Sequence, residues 1–322
     1  MSTPSGSNVR VDIVSAILNG ADYVSEMLRS IQAQSHAHWV LWIRDDGSVD
    51  DTVAIVTLFA ASDDRIRLLH VGGPPMGVAG AFGWLLQRIP ADSRYVMYAD
   101  HDDVWLPHKI ECTLAAMRAA EAEAPGPVLV HTDLVVVDEE LRTIAESLWA
   151  MSGVDPERAT LRRLIVQNVV TAPAAMLNRD LCDRIGIMPE DALYQDWWSA
   201  CVAVAFGRIV ALRQATILYR QHARNAVGAK RGRTPWYEIP RAAVRALGTT
   251  AHLRSHLART ARQAAAFLDR YEADLGDDDR RFLREYSRLP DLPFLRRKVR
   301  VLRLRLRREH GLWRNLGVLL RA

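Results

Sequence analysis

An α/β fold with a mostly parallel central sheet, flanked by helices and followed by a C-terminal helical extension, is predicted from three observations. Short β-branched runs alternate with amphipathic helical stretches through the first half of the chain, the pattern of strands joined by covering helices. Two clusters of aspartates follow directly on predicted strands, where turns should lie. Beyond Arg233, Arg, Ala and Leu dominate and strand-like runs give out. At 322 residues, 49% of them hydrophobic, the chain is long enough to bury a sizeable core.

The elements follow in order. Residues 11–17 read as a first strand, and 21–34 as a helix with Val24, Leu28 and Ile31 at i, i+4 and i+7. A second strand over 39–44 ends in Asp45-Asp46-Gly47-Ser48, a turn from which Asp50 or Asp51 can cap a helix running to Ala61. A third strand covers 66–70. The loop Gly72-Gly73-Pro74-Pro75-Met76-Gly77 leads into a helix to about Arg88, and 95–99 make a fourth strand. Pro107 suits the first turn of a helix reaching about Ala122, since a proline lacks the N–H that such a position leaves unpaired. Residues 128–137 are a further strand. Between 168 and 219, strands mix with a helix starting near Asp196, so the sheet should end in mixed pairing.

Composition excludes several classes. No stretch reaches the roughly 18 consecutive apolar residues of a membrane span, and residues 1–10 are small and polar, so a cytosolic protein is expected. Cys112, Cys182 and Cys201 are few, odd in number and set among apolar residues, which suggests neither a disulfide framework nor a thiolate metal site. The net charge is +4, but residues 290–322 carry ten Arg or Lys against Asp291 and Glu309. That segment's +8 leaves −4 for the rest, so the body lacks the positive excess needed to bind nucleic acid.

Both acidic clusters lie at the carboxyl ends of predicted strands, the edge where open α/β sheets bind ligands. Asp100-His101-Asp102 offers two carboxylates one residue apart. That arrangement suits magnesium or manganese, with positions left open for diphosphate oxygens. Asp103 beside them can position the loop. Carboxylates gathered this way repel one another without a cation.

Four segments taken together resemble glycosyltransferase family 2: residues 11–20 (VDIVSAILNG), Gln32-Ala33-Gln34, Asp45-Asp46-Gly47-Ser48, and Asp100-His101-Asp102-Asp103-Val104-Trp105. The likeness runs from Val11 to about Gly228. It implies a GT-A fold over residues 1–232, a helical, basic extension over 233–322, and inverting transfer from a nucleotide diphosphate sugar. The resemblance places Asp46, with Asp45 beside it, at the pyrimidine. A carboxylate there accepts the N3–H that uracil and thymine have and cytosine lacks, so a UDP- or dTDP-sugar donor is implied. Ala16 and Asn19 correspond to positions lining the nucleotide. Leu18 departs from the family, where an aromatic often stacks on the base.

The resemblance also implies a base that takes the acceptor hydroxyl's proton. Tyr194-Gln195-Asp196-Trp197-Trp198 matches the family segment with Gln in place of Glu, making Asp196 the base; an N-cap role is the alternative. Asp102 becomes the direct ligand of manganese or magnesium, with Asp100 on the ribose or on a water of the metal. Arg220 and His222 in Tyr219-Arg220-Gln221-His222 approach the diphosphate or the metal. Trp197 and Trp198 face the core or the acceptor. The fuller texture is similar to a rhamnosyltransferase-like branch acting on bacterial surface polysaccharides, such as O-antigen, which implies dTDP-rhamnose and a glycan acceptor, lipid-linked or free.

In the tail, Leu295, Val299, Leu302 and Leu306 form one helical stripe among Arg296, Arg297, Lys298, Arg300, Arg303, Arg307 and Arg308. The stripe suits peripheral contact with an anionic membrane and equally a basic helix packed on protein. Two rival readings are a sugar nucleotidyltransferase and a catalytically degenerate scaffold subunit. Leu18-Asn19-Gly20-Ala21-Asp22 lacks the Gly-rich cationic phosphate loop of the first. Asp46, Asp102 and Asp196 count against the second.

Overall fold

The structure is a computed structural model describing residues 9–223 and 250–304. It divides into two compact units, the first made of Met1–Leu148, Val170–Met188 and Tyr194–Ala229, the second of Trp149–Val169, Pro189–Leu193 and Lys230–Ala322. The expected boundary between residues 232 and 233 lies outside the described residues, as do Leu306, Arg307 and Arg308.

The first unit is a nine-stranded sheet covered by helices. Strands β1 (Val11–Ile17), β2 (Trp39–Asp45), β3 (Ile66–His70) and β4 (Tyr95–Tyr98) pair in parallel in the order β3-β2-β1-β4. Val11, Ile13, Val14 and Ile17 of β1 are all buried. Helix α1 (Val24–Gln32) buries Val24, Met27, Leu28 and Ile31, the i, i+3, i+4, i+7 stripe of a helix against a sheet. Helices α2 (Thr52–Ser62) and α3 (Gly77–Leu86) complete the crossovers.

Past β4 the pairing turns mixed, as expected. Strand β5 (Val104–Trp105) leads into helix α4 (Lys109–Glu123), then β6 (Val128–Val137) and β7 (Thr143–Ala145). Pro107 lies just ahead of α4, whose N-cap is His108. Helices α5 (Leu148–Ser152) and α6 (Leu161–Val166) precede β8 (Ala175–Asn178), α7 (Arg179–Ile185), α8 (Gln195–Phe206) and the long β9 (Arg208–Arg220). The sheet continues β4-β8-β6-β9-β5, with β7 on β6. Strand β8 is antiparallel to both β4 and β6, and β9 is parallel to β6. Strand β9 therefore runs the same way as β4, and the two carboxyl ends, Tyr98 and Arg220, reach one edge. That topology assembles the site.

The second unit is helical among its described residues. Helices α9 (Thr250–Tyr271) and α10 (Asp277–Ser287) pack together and bury Phe267, Phe282, Leu283 and Tyr286, and α11 (Phe294–Arg303) packs on the turn Leu289–Asp291. The Thr260 hydroxyl lies 2.8 Å from that of Tyr286. Helix α11 buries Val301 but exposes Leu295 (75%), Val299 (50%) and Leu302 (58%). No helix among the described residues is long and apolar enough to cross a membrane.

Candidate functional site

Two clusters form at the carboxyl edge of the sheet. The first joins the loops after β1 and β2. Asn19 takes a left-handed conformation (φ 50°), which asparagine tolerates better than most residues. Its backbone N donates to Ser48 Oγ (2.8 Å), and its side-chain oxygen accepts from Val49 N (2.9 Å). Gly20 N donates to Thr52 Oγ1 (2.8 Å), and Ala21 N to Asp50 Oδ2 (3.2 Å). The Asp45 carboxylate accepts from the backbone N of Gly47, Ser48 and Gly72, each at 3.1 Å to Oδ2. Asp46 accepts from Met76 N at 3.1 and 3.0 Å, and from Arg44, whose Nε and Nη2 each lie 3.2 Å from Oδ1. Arg44 in turn lies over Trp84, 4.8 Å from the ring centroid. Ala16, half-buried on β1, pairs in register with Arg44.

The second cluster follows β4. Asp100, Asp102 and Asp103 bring ligand oxygens within 4.8 Å of one another. His222 Nε2 lies 2.9 Å from Asp102 Oδ2. Arg220 N donates to Asp103 Oδ1 (3.1 Å) and Arg220 Nε to the Asp102 carbonyl (3.0 Å). The rest of that guanidinium goes to the Glu139 carbonyl and the Glu26 carboxylate. Arg220, read from sequence as a group approaching the diphosphate, is thus held by the loops around the aspartates. The ring of His101 packs so closely on Gly20 that a Cβ there would lie 2.6 Å from it, so a larger residue would displace the ring.

Helix α8 delivers Asp196. The N-cap of α8 is Tyr194, so Asp196 is the second helical residue and does not cap the helix. It is buried, and its Oδ1 accepts from Trp197 N at 2.6 Å. The Tyr98 hydroxyl, 2.9 Å from Ser199 Oγ, ties β4 to the same turn of α8. Trp197 and Trp198 are buried, which favours the core role over the acceptor-facing one.

The electrostatics identify an unsatisfied centre. Loss of water raises the Asp100 carboxyl well above the usual carboxylate range, with the charges of Asp102 and Asp196 adding to it. Asp103 is raised too, first by burial and then by Asp102 and Asp100, against a smaller opposing pull from Arg220. Tyr219, on β9, is also pushed up, by burial and by the charges of Asp103, Asp100, Asp102 and Asp196. The residues fit a divalent cation: the buried Oδ2 of Asp103 has no hydrogen-bond partner, and three carboxylates converge where their mutual repulsion is strongest.

Asp100, Asp102, Asp196, Arg220 and His222 therefore gather around one centre, while Ala16, Asn19, Asp45 and Asp46 gather at the carboxyl ends of β1 and β2 and in the loops after them. Tyr23, Glu26 and Glu139 were not singled out by sequence reasoning, because their partners lie far along the chain. Tyr219 was visible only as part of a motif.

Comparisons with known proteins bear on the family and the fold. Residues 12–186 match the family model described as glycosyl transferase family 2. The chain is 28% identical over 188 residues to the putative teichuronic acid biosynthesis glycosyltransferase TuaG of Bacillus subtilis, covering 58% of this chain and 68% of that one. It is 34% identical over 107 residues to the Escherichia coli UDP-Glc:alpha-D-GlcNAc-diphosphoundecaprenol beta-1,3-glucosyltransferase WfgD, covering 33% of this chain and 40% of that one. Among solved structures, S. aureus TarS 1-349 in complex with UDP-GlcNAc aligns with a TM-score of 0.55 at 14% identity, over 97% of this chain and 89% of that one. The mannosyltransferase PcManGT from Pyrobaculum calidifontis, in complex with GDP-Man and Mn2+, aligns at 0.52 and 16% identity, over 94% and 77%.

Proposed function

The chain belongs to glycosyl transferase family 2 and has a GT-A fold, and from that premise we propose that it moves a sugar, with inversion, from a UDP- or dTDP-linked donor to a glycan acceptor of bacterial surface polysaccharide assembly. The observation that carries this reading is the convergence of Asp100, Asp102 and Asp103 beside Asp196 at the carboxyl edge of the sheet. The motif texture favours dTDP-rhamnose within the pyrimidine donors. Catalysis is assigned to residues 1–232 and the appended role to 233–322.

Each residue's part follows from its position. Asp45 holds the turn, so that Asp46 faces the nucleotide end. Arg44 and Met76 N engage Asp46 Oδ1, while Oδ2, which accepts from Met76 N, retains capacity for a pyrimidine N3–H. Ala16 and Asn19 line the same end. Asp102, Asp100 and His222 would hold manganese or magnesium, which when bound neutralises charge developing on the leaving diphosphate. Arg220 keeps the carboxylate loop in place. Asp196 takes the proton of the acceptor hydroxyl as its oxygen attacks the anomeric carbon.

The acceptor is proposed to be lipid-linked, since WfgD by its name acts on a diphosphoundecaprenol-linked sugar. Helix α11 supports contact with an anionic membrane: Leu295, Val299 and Leu302 are exposed on one stripe beside Lys298 and Arg303. The test is a panel of UDP- and dTDP-sugars with Mn2+ or Mg2+, following nucleoside diphosphate release with acceptor presented in anionic vesicles. Release is expected with one pyrimidine donor, the protein should sediment with the vesicles, and Asp196→Asn should bind donor without turning it over. Absence of binding and turnover with every donor would overturn the enzymatic reading. Equal sedimentation of a Leu295→Ser, Val299→Ser, Leu302→Ser variant would remove the membrane contact.

A further inference from the structure

We propose that Tyr23, in the turn leading into α1, is a positioning residue that orients His222 and Arg220 toward the aspartate loop. The inference rests on the reading of Asp102 and His222 as ligands of a divalent cation. The Tyr23 ring stacks on the His222 imidazole, with centroids 4.9 Å apart and planes 25° from parallel. The same ring lies beneath the Arg220 guanidinium, whose central carbon is 4.6 Å from its centroid. Both contacts come from the carboxyl end of β9, where Gln221 N donates to Val137 O (2.9 Å) and carries the extended path past Arg220. Residues two apart on an extended chain project to the same side, so one ring can reach both.

The two residues held by Tyr23 are those that grip the loop. His222 Nε2 faces Asp102 Oδ2 at 2.9 Å, and Arg220 binds the Asp102 carbonyl and, through its backbone, the Asp103 carboxylate. Glu26, one turn further along α1, pairs with the same guanidinium. The first helix therefore acts on the aspartates through His222 and Arg220. Tyr23 is itself well anchored: its backbone N donates to Gly20 O (3.1 Å), and Gly20 is tied to Thr52 and pressed against His101. The loop at the nucleotide end and the ring that orients His222 thus share one support. A ligand whose other ring face is packed presents its nitrogen in one direction, which is how residues behind a metal's ligands raise its affinity.

The test is Mn2+ binding, read by electron paramagnetic resonance on wild type, Tyr23→Phe, Tyr23→Leu, Tyr23→Met and His222→Ala in the presence of UDP, with folding checked by thermal melting. Tyr23→Phe keeps the stacking face and should bind Mn2+ within about twofold of wild type. Tyr23→Leu and Tyr23→Met fill the space without a ring and should bind roughly tenfold more weakly. Adding Tyr23→Leu to His222→Ala should cost little more, because the ring acts through the imidazole; a merely structural loss would appear in both backgrounds. Wild-type Mn2+ affinity in folded Tyr23→Leu or Tyr23→Met, with affinity lost in His222→Ala, would overturn the role of Tyr23 alone. Unchanged affinity in His222→Ala would remove His222 as a ligand, and this inference with it.

Discussion

The Asp45–Asp46 turn and the Asp100–Asp103 loop are two runs of aspartate at the same edge of one sheet, and they differ in what completes them. At the first, the protein supplies the partners: Asp45 accepts from the backbone N of Gly47, Ser48 and Gly72, and Asp46 from Met76 N and Arg44. At the second, three carboxylates face one another, Asp100 and Asp103 are pushed up, and Asp103 Oδ2 is buried without a partner. A carboxylate saturated by N–H donors is a finished structural part. One left among like charges lowers stability until something cationic joins it. The sequence pattern is similar; the second site alone is built to receive a cation.

The sharpest way to break that contrast is to remove one carboxylate from each run. Asp102→Asn takes away the favoured ligand and should lower turnover by about a thousandfold or more, since the charge stabilisation lost at the leaving diphosphate amounts to several kcal/mol. Its melting temperature in the absence of metal should hold or rise, because repulsion with Asp100 and Asp103 is relieved. A variant that unfolds would show the loop to be a structural part like the first.

The opposite pattern is expected for Asp45→Ala. Three backbone N–H groups lose their acceptor, and a stability loss of about 2 kcal/mol follows, read as a lower midpoint in urea unfolding. Turnover should fall only in step with folding. Asp45→Asn, which keeps one acceptor oxygen, should lose less. A fully stable, inactive Asp45→Ala would place Asp45 among the groups that touch the donor.

The same contrast explains what could be read from sequence. Strands over 11–17, 66–70 and 128–137 coincide with the observed β1, β3 and β6: β1 and β6 are long β-branched or aliphatic runs that are mostly buried, and β3 is a short Ile/Leu run between turn residues. Strand β5 could not be read: Val104 and Trp105 are two residues inside a motif, made a strand by Leu218 and Ile217 more than a hundred positions away. Helices α5, α6 and α7, at five to seven residues, are too short for a helical period to register. Within the site, Asp46, Asp102 and Asp196 carry recognisable neighbours. Tyr23 and Glu26 do not, since their meaning comes from Arg220 and His222 at the other end of the unit. Asp103 was expected to position the loop. Its Oδ1 accepts from Arg220 N, while its Oδ2 stands unpaired in the cluster.

The last test asks whether the protein already carries a counter-ion for the second loop. Lys109, the first residue of α4, is fully buried with its ammonium 4.7 Å from the Trp105 ring, and its Nζ has no hydrogen-bond partner. Burial lowers its pKa from 10.5 to about 7, against smaller opposing effects of Cys112 and Asp103. The folded protein then holds this lysine largely neutral above pH 7, while the unfolded chain protonates it up to about 10.5. Between those values the unfolded state binds more protons, so this group's contribution to stability rises with pH and is lost as pH falls toward 7. Lys109→Met removes the slope. Between pH 7 and 8 the stability of wild type relative to Lys109→Met should rise by about 1 kcal/mol, measured by urea unfolding at each pH. A difference that stays flat across pH 7 to 10 would mean that Lys109 remains charged beside Asp103. The acidic loop would then be neutralised from within, like the Asp45–Asp46 turn, and the case for a cation there would lose its electrostatic ground.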